Sequence, residues 1–136
     1  MGIFGIFGKK GYEAQEGEAP YLIRTEFVPY KLKSNMKSST TMSIKVRNLS
    51  KEPVMGSILI EVPKQLNFEN NLFAKRKELR FGQLGPSEEK NAAVEIFSDV
   101  GTDKGEYTIS VTAFVNYRDY SYVENAVKKT AIIEAI

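Results

Sequence analysis

The longest regular stretch of the chain is Tyr107-Thr-Ile-Ser-Val-Thr-Ala-Phe-Val-Asn-Tyr117. Every second residue in it is apolar or aromatic: Tyr107, Ile109, Val111, Ala113, Val115 and Tyr117. Successive side chains of a β-strand point to opposite faces of a sheet, so a period of two places this set on one face. The stretch therefore predicts a long strand with one side in a hydrophobic core.

The same period recurs along the chain. Every second residue is apolar in three more stretches: Met42–Arg47, Ser57–Val62 and Ala92–Ile96. Further strands are predicted at Tyr21–Val28, Leu79–Leu84 and Ser121–Ile133. Turn-forming residues fall between these runs, at Asn48–Pro53, Gly85–Pro86 and Gly101–Gly105. Short strands separated by turn signals favour an antiparallel sandwich or barrel.

The composition bounds both size and function. The chain has 136 residues with no Cys, His or Trp, and 19 Lys and Arg against 17 Asp and Glu give a net charge of +2. This length predicts one domain. Without cysteine or histidine, Ser-His-Asp and Cys-His catalysis are excluded, as are disulfides and thiolate metal sites. We predict a protein that is not an enzyme, with no cofactor or metal, and the small net charge argues against a nucleic-acid partner.

Residues 1–20 predict a flexible apolar arm and acidic linker ahead of a folded domain at 21–136. The arm carries four large apolar residues, Ile3, Phe4, Ile6 and Phe7, followed by Lys9 and Lys10. Its apolar stretch is far shorter than the about 20 residues that span a bilayer, and its basic residues follow that stretch, unlike those of a secretory signal. We expect a cytoplasmic protein whose arm inserts in a membrane interface, docks on a partner, folds back on the domain or stays mobile.

Four short motifs follow one another in the middle of the chain: Asn48-Leu-Ser50, Val62-Pro63, Leu84-Gly-Pro86 with Glu88, and Gly105-Glu-Tyr107-Thr-Ile-Ser-Val111. In this order they resemble the motifs of immunoglobulin-like accessory domains of archaeal and bacterial proteins. These include the cell-adhesion-related (CARDB-type) domains and the Ig-like domain associated with alpha-galactosidases. The resemblance implies an all-β, immunoglobulin-like antiparallel β-sandwich of seven or eight strands that serves as a spacer, an adhesive module or a docking surface. One departure is Ser87, which stands where the family usually has glycine.

The densest basic cluster comprises Lys75, Arg76, Lys77 and Arg80. Such a cluster suits a phosphate-rich ligand or an anionic lipid surface. The competing interpretation is an ordinary solvated loop, interrupted by Glu78.

Three tyrosines surround an Arg-Asp pair near the C-terminal strands. We call Tyr117, Arg118, Tyr120 and Tyr122 the Tyr/Arg surface. A hairpin is predicted here, and tyrosine and arginine are enriched at interface hot spots because they give large, rigid, amphipathic contact area. The competing interpretation makes Tyr117 and Tyr122 cross-strand neighbours and Asp119 only the turn residue.

Other chemistry has weaker support in the sequence. Acidic residues that could pair for catalysis or hold calcium fall in turns, where carboxylates normally face water: Glu88, Glu89, Asp99 and Asp103. Asn48-Leu-Ser50 also matches a glycosylation motif, which matters only if the chain is secreted. We therefore predict a protein-interaction or membrane-peripheral adaptor module that uses the arm and the Tyr/Arg surface. The alternative is a structural protein that assembles with copies of itself through edge strands and the arm.

Overall fold

The computed structural model describes residues 20–68 and 74–136. The predicted arm, with Ile3, Phe4, Ile6 and Phe7, lies outside the described residues. Within these two ranges there is no helix, and most residues lie in strands. Accordingly, the described part of the chain contains no helix long and apolar enough to cross a membrane.

Seven long strands form the framework, and each contains or overlaps a stretch predicted from the sequence: β1 (Tyr21–Val28), β3 (Ser38–Asn48), β4 (Val54–Glu61), β6 (Arg76–Leu84), β7 (Glu89–Ser98), β8 (Gly105–Tyr117) and β9 (Asp119–Ala135). Two further strands of two residues each, β2 (Lys31–Leu32) and β5 (Asn67–Phe68), complete the described set. The predicted strand content is confirmed for the long elements. The two short strands escaped prediction because two residues are too few to show a period.

The strands form two sheets packed face to face. The four-stranded sheet has the order β1-β3-β7-β5, and the five-stranded sheet has the order β2-β9-β8-β4-β6. All pairs are antiparallel except β2 with β9, which is parallel. Consecutive strands β1 and β2 lie in different sheets, so the chain crosses between the sheets at residues 29–30. The fold is the predicted immunoglobulin-like β-sandwich.

The core lies between the sheets and is built from alternate residues of the long strands. Ile109, Val111 and Ala113 of β8 are fully buried, and so are Met42 and Ile44 of β3 in the other sheet. Burial of each large apolar side chain contributes roughly 1.5–3 kcal/mol relative to exposure. The same alternation leaves the intervening residues of these strands on the outer faces, where binding surfaces can form.

Tyr21 links the two sheets directly. It begins β1 in the four-stranded sheet, and its hydroxyl donates a hydrogen bond of 2.9 Å to the carbonyl of Phe114 in β8 of the five-stranded sheet. Burial raises the pKa of Tyr21 far above its ordinary value of 10.0. A Cβ at position 56 would lie 2.7 Å from this hydroxyl. Glycine at this position therefore makes room for the link.

Asn48 is a second link, at the end of β3. Its side chain is fully buried, and its Nδ2 donates to the carbonyls of Glu52 (2.9 Å), Leu84 (3.0 Å) and Gly85 (3.2 Å). Its Oδ1 accepts a hydrogen bond from the Ser50 backbone N–H at 2.9 Å. The amide that a glycosylation motif would use is therefore enclosed, and the match to that motif reflects a requirement of the fold.

The sandwich has two ends at which different connections meet. At the upper end, the Leu49 N–H after β3 donates to the Pro20 carbonyl before β1 at 2.7 Å. The β8–β9 hairpin reaches this end too, because Met55 at the start of β4 pairs with Asn116. At the lower end, the β2–β3 and β7–β8 connections meet. Pro20, where the described part of the chain begins, therefore lies at the same end as the Tyr/Arg surface.

Candidate interaction surface

A tight hairpin at the upper end carries the Tyr/Arg surface. Tyr117 of β8 pairs with Asp119 of β9, and Arg118 forms the tip with a φ of +70°. The predicted hairpin is present, with Arg118 rather than Asp119 at its tip. The pair that follows Tyr117–Asp119 along the two strands joins Asn116 to Val123, so residues 120–122 form a bulge in β9.

Asn116 supports this bulge from beneath. Its Nδ2 donates to the carbonyls of Tyr122 (3.2 Å) and Tyr120 (3.5 Å), while its Oδ1 accepts from the Ser57 hydroxyl at 2.8 Å. Both Asn116 and Ser57 are buried. The bulge therefore has a defined conformation set by a buried polar pair, because buried polar groups are costly unless they are hydrogen-bonded.

Two aromatic rings and one guanidinium form the exposed part of the surface. The rings of Tyr117 and Tyr122 meet edge to face, with centroids 6.2 Å apart and an interplanar angle of 80°. The Arg118 guanidinium lies 5.1 Å from the Tyr117 ring centroid. The two tyrosines remain 50% and 52% exposed. Large side chains are thus held in place while half of their area stays available to a partner.

Arg80 joins the Tyr/Arg surface from β6. Its guanidinium lies 4.6 Å from the Tyr120 ring centroid, and the Tyr120 hydroxyl accepts a hydrogen bond of 2.8 Å from the Gly82 N–H. The Gly82 φ of +72° belongs to a bulge in β6, where Gly56 pairs with Gly82 and the next pair joins Ser57 to Arg80. Glycine tolerates this left-handed backbone at no steric cost. The bulge in β6 thus meets the bulge in β9.

The electrostatics of the hairpin are dominated by local partners. Two hydrogen bonds from Ser121 hold the pKa of Asp119 below its usual value, and the nearby Arg80 lowers it further. Arg80 also forms an ion pair with Glu78 at 3.6 Å. Neighbouring carboxylates therefore partly balance the positive charge of this surface.

The structure does not bring the predicted basic cluster together as one patch. The Lys75 ammonium donates to the carbonyls of Lys64 (2.8 Å) and Leu66 (2.7 Å) and to Oδ1 of Asn67 (2.6 Å), and burial lowers its pKa. Arg76 pairs with Glu61 at 3.4 Å on the outer face of the sheet. Lys77 is half-buried, whereas Arg76 is exposed, because successive residues of a strand point to opposite faces of the sheet. Of the four residues, Arg80 is the one in contact with the Tyr/Arg surface.

Three supporting residues were not identified from the sequence: Asn116, Ser57 and Gly82. A signal existed for two of them. Asn116 interrupts an apolar run just before a predicted hairpin, and a glycine inside a strand pattern often marks a bulge. Nothing local indicated Ser57, because its role depends on which residue faces it across the sheet.

Other features offer little for chemistry. The residues that the structure describes include no group of three acidic side chains that could hold a metal ion. A shallow depression on the outer face of the four-stranded sheet is lined by Ser43, Ile44, Lys45, Asn91, Ala92 and Ala93. Its lining provides no carboxylate to act as an acid or a base.

No protein-family model matches the chain, and no curated protein sequence matches it. Solved structures do match its fold. One chain of Escherichia coli alpha-2-macroglobulin has a TM-score of 0.61 and 10% identity over 86% of this chain. The CARDB domain of a Pyrococcus furiosus protein, solved in complex with di-metal ions, has a TM-score of 0.54 and 16% identity, covering 85% of this chain and 87% of that one. A FixG-related protein from Vibrio parahaemolyticus has a TM-score of 0.54 and 11% identity, covering 85% of this chain and 96% of that one.

At these identities the similarity shows the fold alone. The resemblance to CARDB-type and other Ig-like domains, predicted from four short motifs, is confirmed at that level. The chain spans only 16% and 7% of the lengths of two alpha-2-macroglobulin chains that it matches. It also matches 14% of a Bacteroides uniformis beta-glucuronidase chain. Domains of this fold are thus found within much longer proteins.

Proposed function

We propose that this protein is a non-enzymatic accessory module that binds a protein partner through the Tyr/Arg surface, with the N-terminal arm as a second contact. The observation that carries the proposal is the packing of Arg80 from β6 against Tyr120 of the hairpin, at 4.6 Å. This contact joins an exposed aromatic hairpin to the body of the sheet. A binding surface built in this way is already ordered before a partner arrives.

Preorganisation matters because a partner otherwise has to offset the entropy of ordering each side chain, about 0.5–1.5 kcal/mol for a side chain with many rotamers. Tyr117 and Tyr122 restrain each other through their edge-to-face contact. Tyrosine also combines a large apolar area with a polar tip, which suits surfaces that are wet when unbound. These properties are typical of binding hot spots.

The position of Pro20 supports the arm as a second contact. The described chain begins at Pro20, at the upper end, next to the β3–β4 connection. A segment linked to a binding surface acts at high effective concentration near that surface. We propose that Ile3, Phe4, Ile6 and Phe7 contact the protein partner in the cytoplasm, and membrane association of the arm is a distinct outcome of the test below.

Composition and fold support a role without catalysis. The chain has no Cys or His. Among the described residues, acidic side chains do not gather in groups of three. CARDB-type and other Ig-like domains share the fold. An enzymatic activity would need an acid, a base or a metal in a cleft, and the depression lined by Ser43, Ile44, Lys45, Asn91, Ala92 and Ala93 carries no carboxylate.

Self-assembly through sheet edges is the alternative. Among the described residues, β1 pairs only with β3 and β6 only with β4, so each has one open edge. Both strands carry exposed charges, such as Arg24 and Glu26 in β1. Charged side chains on an edge strand oppose pairing with another sheet. We therefore favour a partner contact through the hairpin over one through the edges.

The binding test is a pull-down from an extract of the source organism with the full chain and two double variants. R118N/Y122S removes one arginine and one large side chain from the Tyr/Arg surface, and asparagine tolerates the positive φ at position 118. The control variant R24A/I132S removes one arginine and one large apolar side chain from exposed strand positions outside the Tyr/Arg surface. We expect at least tenfold weaker capture by R118N/Y122S and unchanged capture by R24A/I132S. Equal capture by all three proteins contradicts the proposal.

The membrane outcome is tested with liposomes of anionic lipid. The full chain is compared with F4S/F7S, which removes the two largest apolar side chains of the arm. Equal sedimentation of both proteins is the expected result. Lipid-dependent sedimentation of the wild type that is lost in F4S/F7S would show instead that the arm contacts a membrane.

A further inference from the structure

An amine, a carboxamide and a carboxylate are connected in a row at the lower end of the sandwich, and the proposed function uses none of them. The Lys75 Nζ donates a hydrogen bond of 2.6 Å to Oδ1 of Asn67. The Asn67 Nδ2 in turn donates one of 3.0 Å to Oδ2 of Asp99. A lysine amine is a nucleophile and a carboxamide carbon is an electrophile, so this row holds the groups that an amide exchange requires.

The carboxamide and the carboxylate are fixed by the four-stranded sheet. Asn67 belongs to β5, pairs with Phe97 of β7 and is only 3% exposed. Asp99 follows the end of β7, where its Oδ1 accepts a hydrogen bond of 2.7 Å from the Gly101 N–H. Its own N–H donates to the Thr102 hydroxyl at 3.0 Å. One carboxylate oxygen thus anchors the turn, and the other contacts the amide nitrogen of Asn67.

The amine comes from the other sheet, because Lys75 directly precedes β6. Its carbonyl accepts a hydrogen bond of 3.0 Å from the Val62 N–H, and its ammonium also donates to the carbonyls of Lys64 and Leu66. Burial lowers the pKa of Lys75, although the charge of Asp99 opposes this effect. A lowered pKa increases the fraction of neutral amine, which is the nucleophilic form.

The amine lies close to the carbon that it would attack. A C=O bond is about 1.2 Å long, so a Lys75 Nζ that is 2.6 Å from Oδ1 is at most about 3.8 Å from Cγ of Asn67. Reacting atoms held about 3–3.5 Å apart gain effective concentrations of roughly 10⁵–10⁸ M over the same groups free in solution. The fold therefore holds the two groups at or close to a reactive separation.

We infer that Lys75 and Asn67 join in an intramolecular isopeptide bond, with Asp99 as the proton carrier. The neutral Nζ attacks Cγ, so an Nζ–Cγ bond forms and the Cγ–Nδ2 bond breaks. In the tetrahedral intermediate both nitrogens are bonded to Cγ, and Oδ2 of Asp99 already contacts one of them. Asp99 takes a proton from Nζ and gives it to Nδ2, which leaves as ammonia. One amide and one amine thus become a new amide and ammonia, and no other reactant takes part.

This bond would connect the two sheets covalently. Asn67 lies in β5 of the four-stranded sheet, and Lys75 leads into β6 of the five-stranded sheet, eight positions along the chain. At the upper end the corresponding link, from Asn48 of β3 to the Leu84 carbonyl of β6, is a hydrogen bond. The isopeptide bond would therefore keep the lower end joined even after the hydrogen bonds break. The inference does not depend on the proposed partner contact.

The test is mass spectrometry of the full chain, purified and then denatured. We expect the wild type to be lighter than its sequence mass by one ammonia, and proteolysis to release one branched peptide that contains both Asn67 and Lys75. K75R and N67A should have their full sequence masses, because each lacks one reacting group. K64R is the matched control and should lose ammonia like the wild type, since Lys64 contacts the site through its backbone carbonyl.

The role of Asp99 is tested with D99N, which keeps the size of the side chain but cannot carry the proton. Folded D99N, checked by circular dichroism, should lose ammonia at least about a hundredfold more slowly than the wild type. An asparagine can also lose ammonia by cyclising on its own backbone, but that loss yields no branched peptide and persists in K75R. The inference is overturned if the wild type has its full sequence mass, if ammonia is lost without the branched peptide, or if D99N reacts as fast as the wild type. The wild-type mass decides whichever variants fold.

Discussion

At the residue scale, single polar atoms connect the two sheets of this protein. The Tyr21 hydroxyl crosses from β1 to the carbonyl of Phe114, and the Asn48 amide crosses from β3 to the carbonyl of Leu84. Both side chains are buried, so their hydrogen bonds do not compete with water. Lys75 has a comparable role, since its ammonium binds three acceptors within the domain. This lysine of the predicted basic cluster thus makes its hydrogen bonds within the domain.

The tyrosine link makes stability sensitive to alkaline pH. Since the folded-state pKa of Tyr21 is raised above 10.0, its stabilising contribution is fully present below pH 10 and is lost as pH rises further. We expect Y21F to lower the unfolding free energy by about 1 kcal/mol near pH 7, through loss of one hydrogen bond. The difference in unfolding free energy between wild type and Y21F should shrink above pH 10, because ionisation of Tyr21 then stabilises the unfolded wild type.

Urea unfolding of both proteins at several pH values measures this difference. The other tyrosines and the lysines are common to both proteins, so their titration cancels in the comparison. A gap between wild type and Y21F that stays constant from pH 7 to pH 11 would contradict the assignment of a raised pKa to Tyr21.

At the element scale, the β8–β9 hairpin depends on a backbone conformation that few residues adopt well. Arg118 has a φ of +70°, a left-handed conformation that glycine adopts without steric cost and arginine does not. Its guanidinium contacts the Tyr117 ring, so a backbone conformation of some energetic cost holds this arginine within the Tyr/Arg surface. The bulge at residues 120–122 accommodates the extra residues of β9 and directs the Tyr120 side chain toward β6.

Two substitutions at position 118 separate backbone from side-chain effects. Both R118V and R118N remove the guanidinium, but a β-branched residue is strongly disfavoured at positive φ and asparagine is not. We expect R118V to be less stable than R118N by about 1–2 kcal/mol in urea unfolding. Equal stability of the two variants would mean that the tip is free to adopt another conformation.

At the scale of the whole molecule, the two sheets are held together by the apolar core and by the links at the upper end. Asn48 matters most among these links, because it joins the ends of β3 and β6 and orders the adjoining connections. The upper end is also where the Tyr/Arg surface and the entry of the arm lie. The links that stabilise the sandwich and the proposed partner contact therefore share one end of the domain.

Removal of the Asn48 side chain tests how much its hydrogen bonds contribute to stability. We expect N48A to lower the unfolding free energy by about 2–4 kcal/mol, since it leaves buried carbonyls without their donor. Asn91 is an exposed asparagine on the outer face of β7, and N91A should change stability by less than about 0.5 kcal/mol. Urea unfolding monitored by tyrosine fluorescence measures both, and similar effects of the two variants would contradict the role of Asn48.

The sequence by itself determined the seven long strands, most of their core-facing residues and the turns between them, because alternation and turn chemistry act over a few neighbouring positions. The same alternation wrongly placed Tyr117 on the core face, since half of that side chain is exposed in the hairpin. It also indicated the hairpin and the aromatic character of its surface. Only the tertiary structure decided that Arg80 packs on Tyr120, that the Lys75 ammonium binds three acceptors of its own domain and that Pro20 lies at the same end as the hairpin. The Tyr120 hydroxyl and the Gly82 N–H that help to set the first contact are 38 positions apart, and two bulges bring them together. Strand order and register depend on the packing of the whole sandwich, which no local pattern specifies.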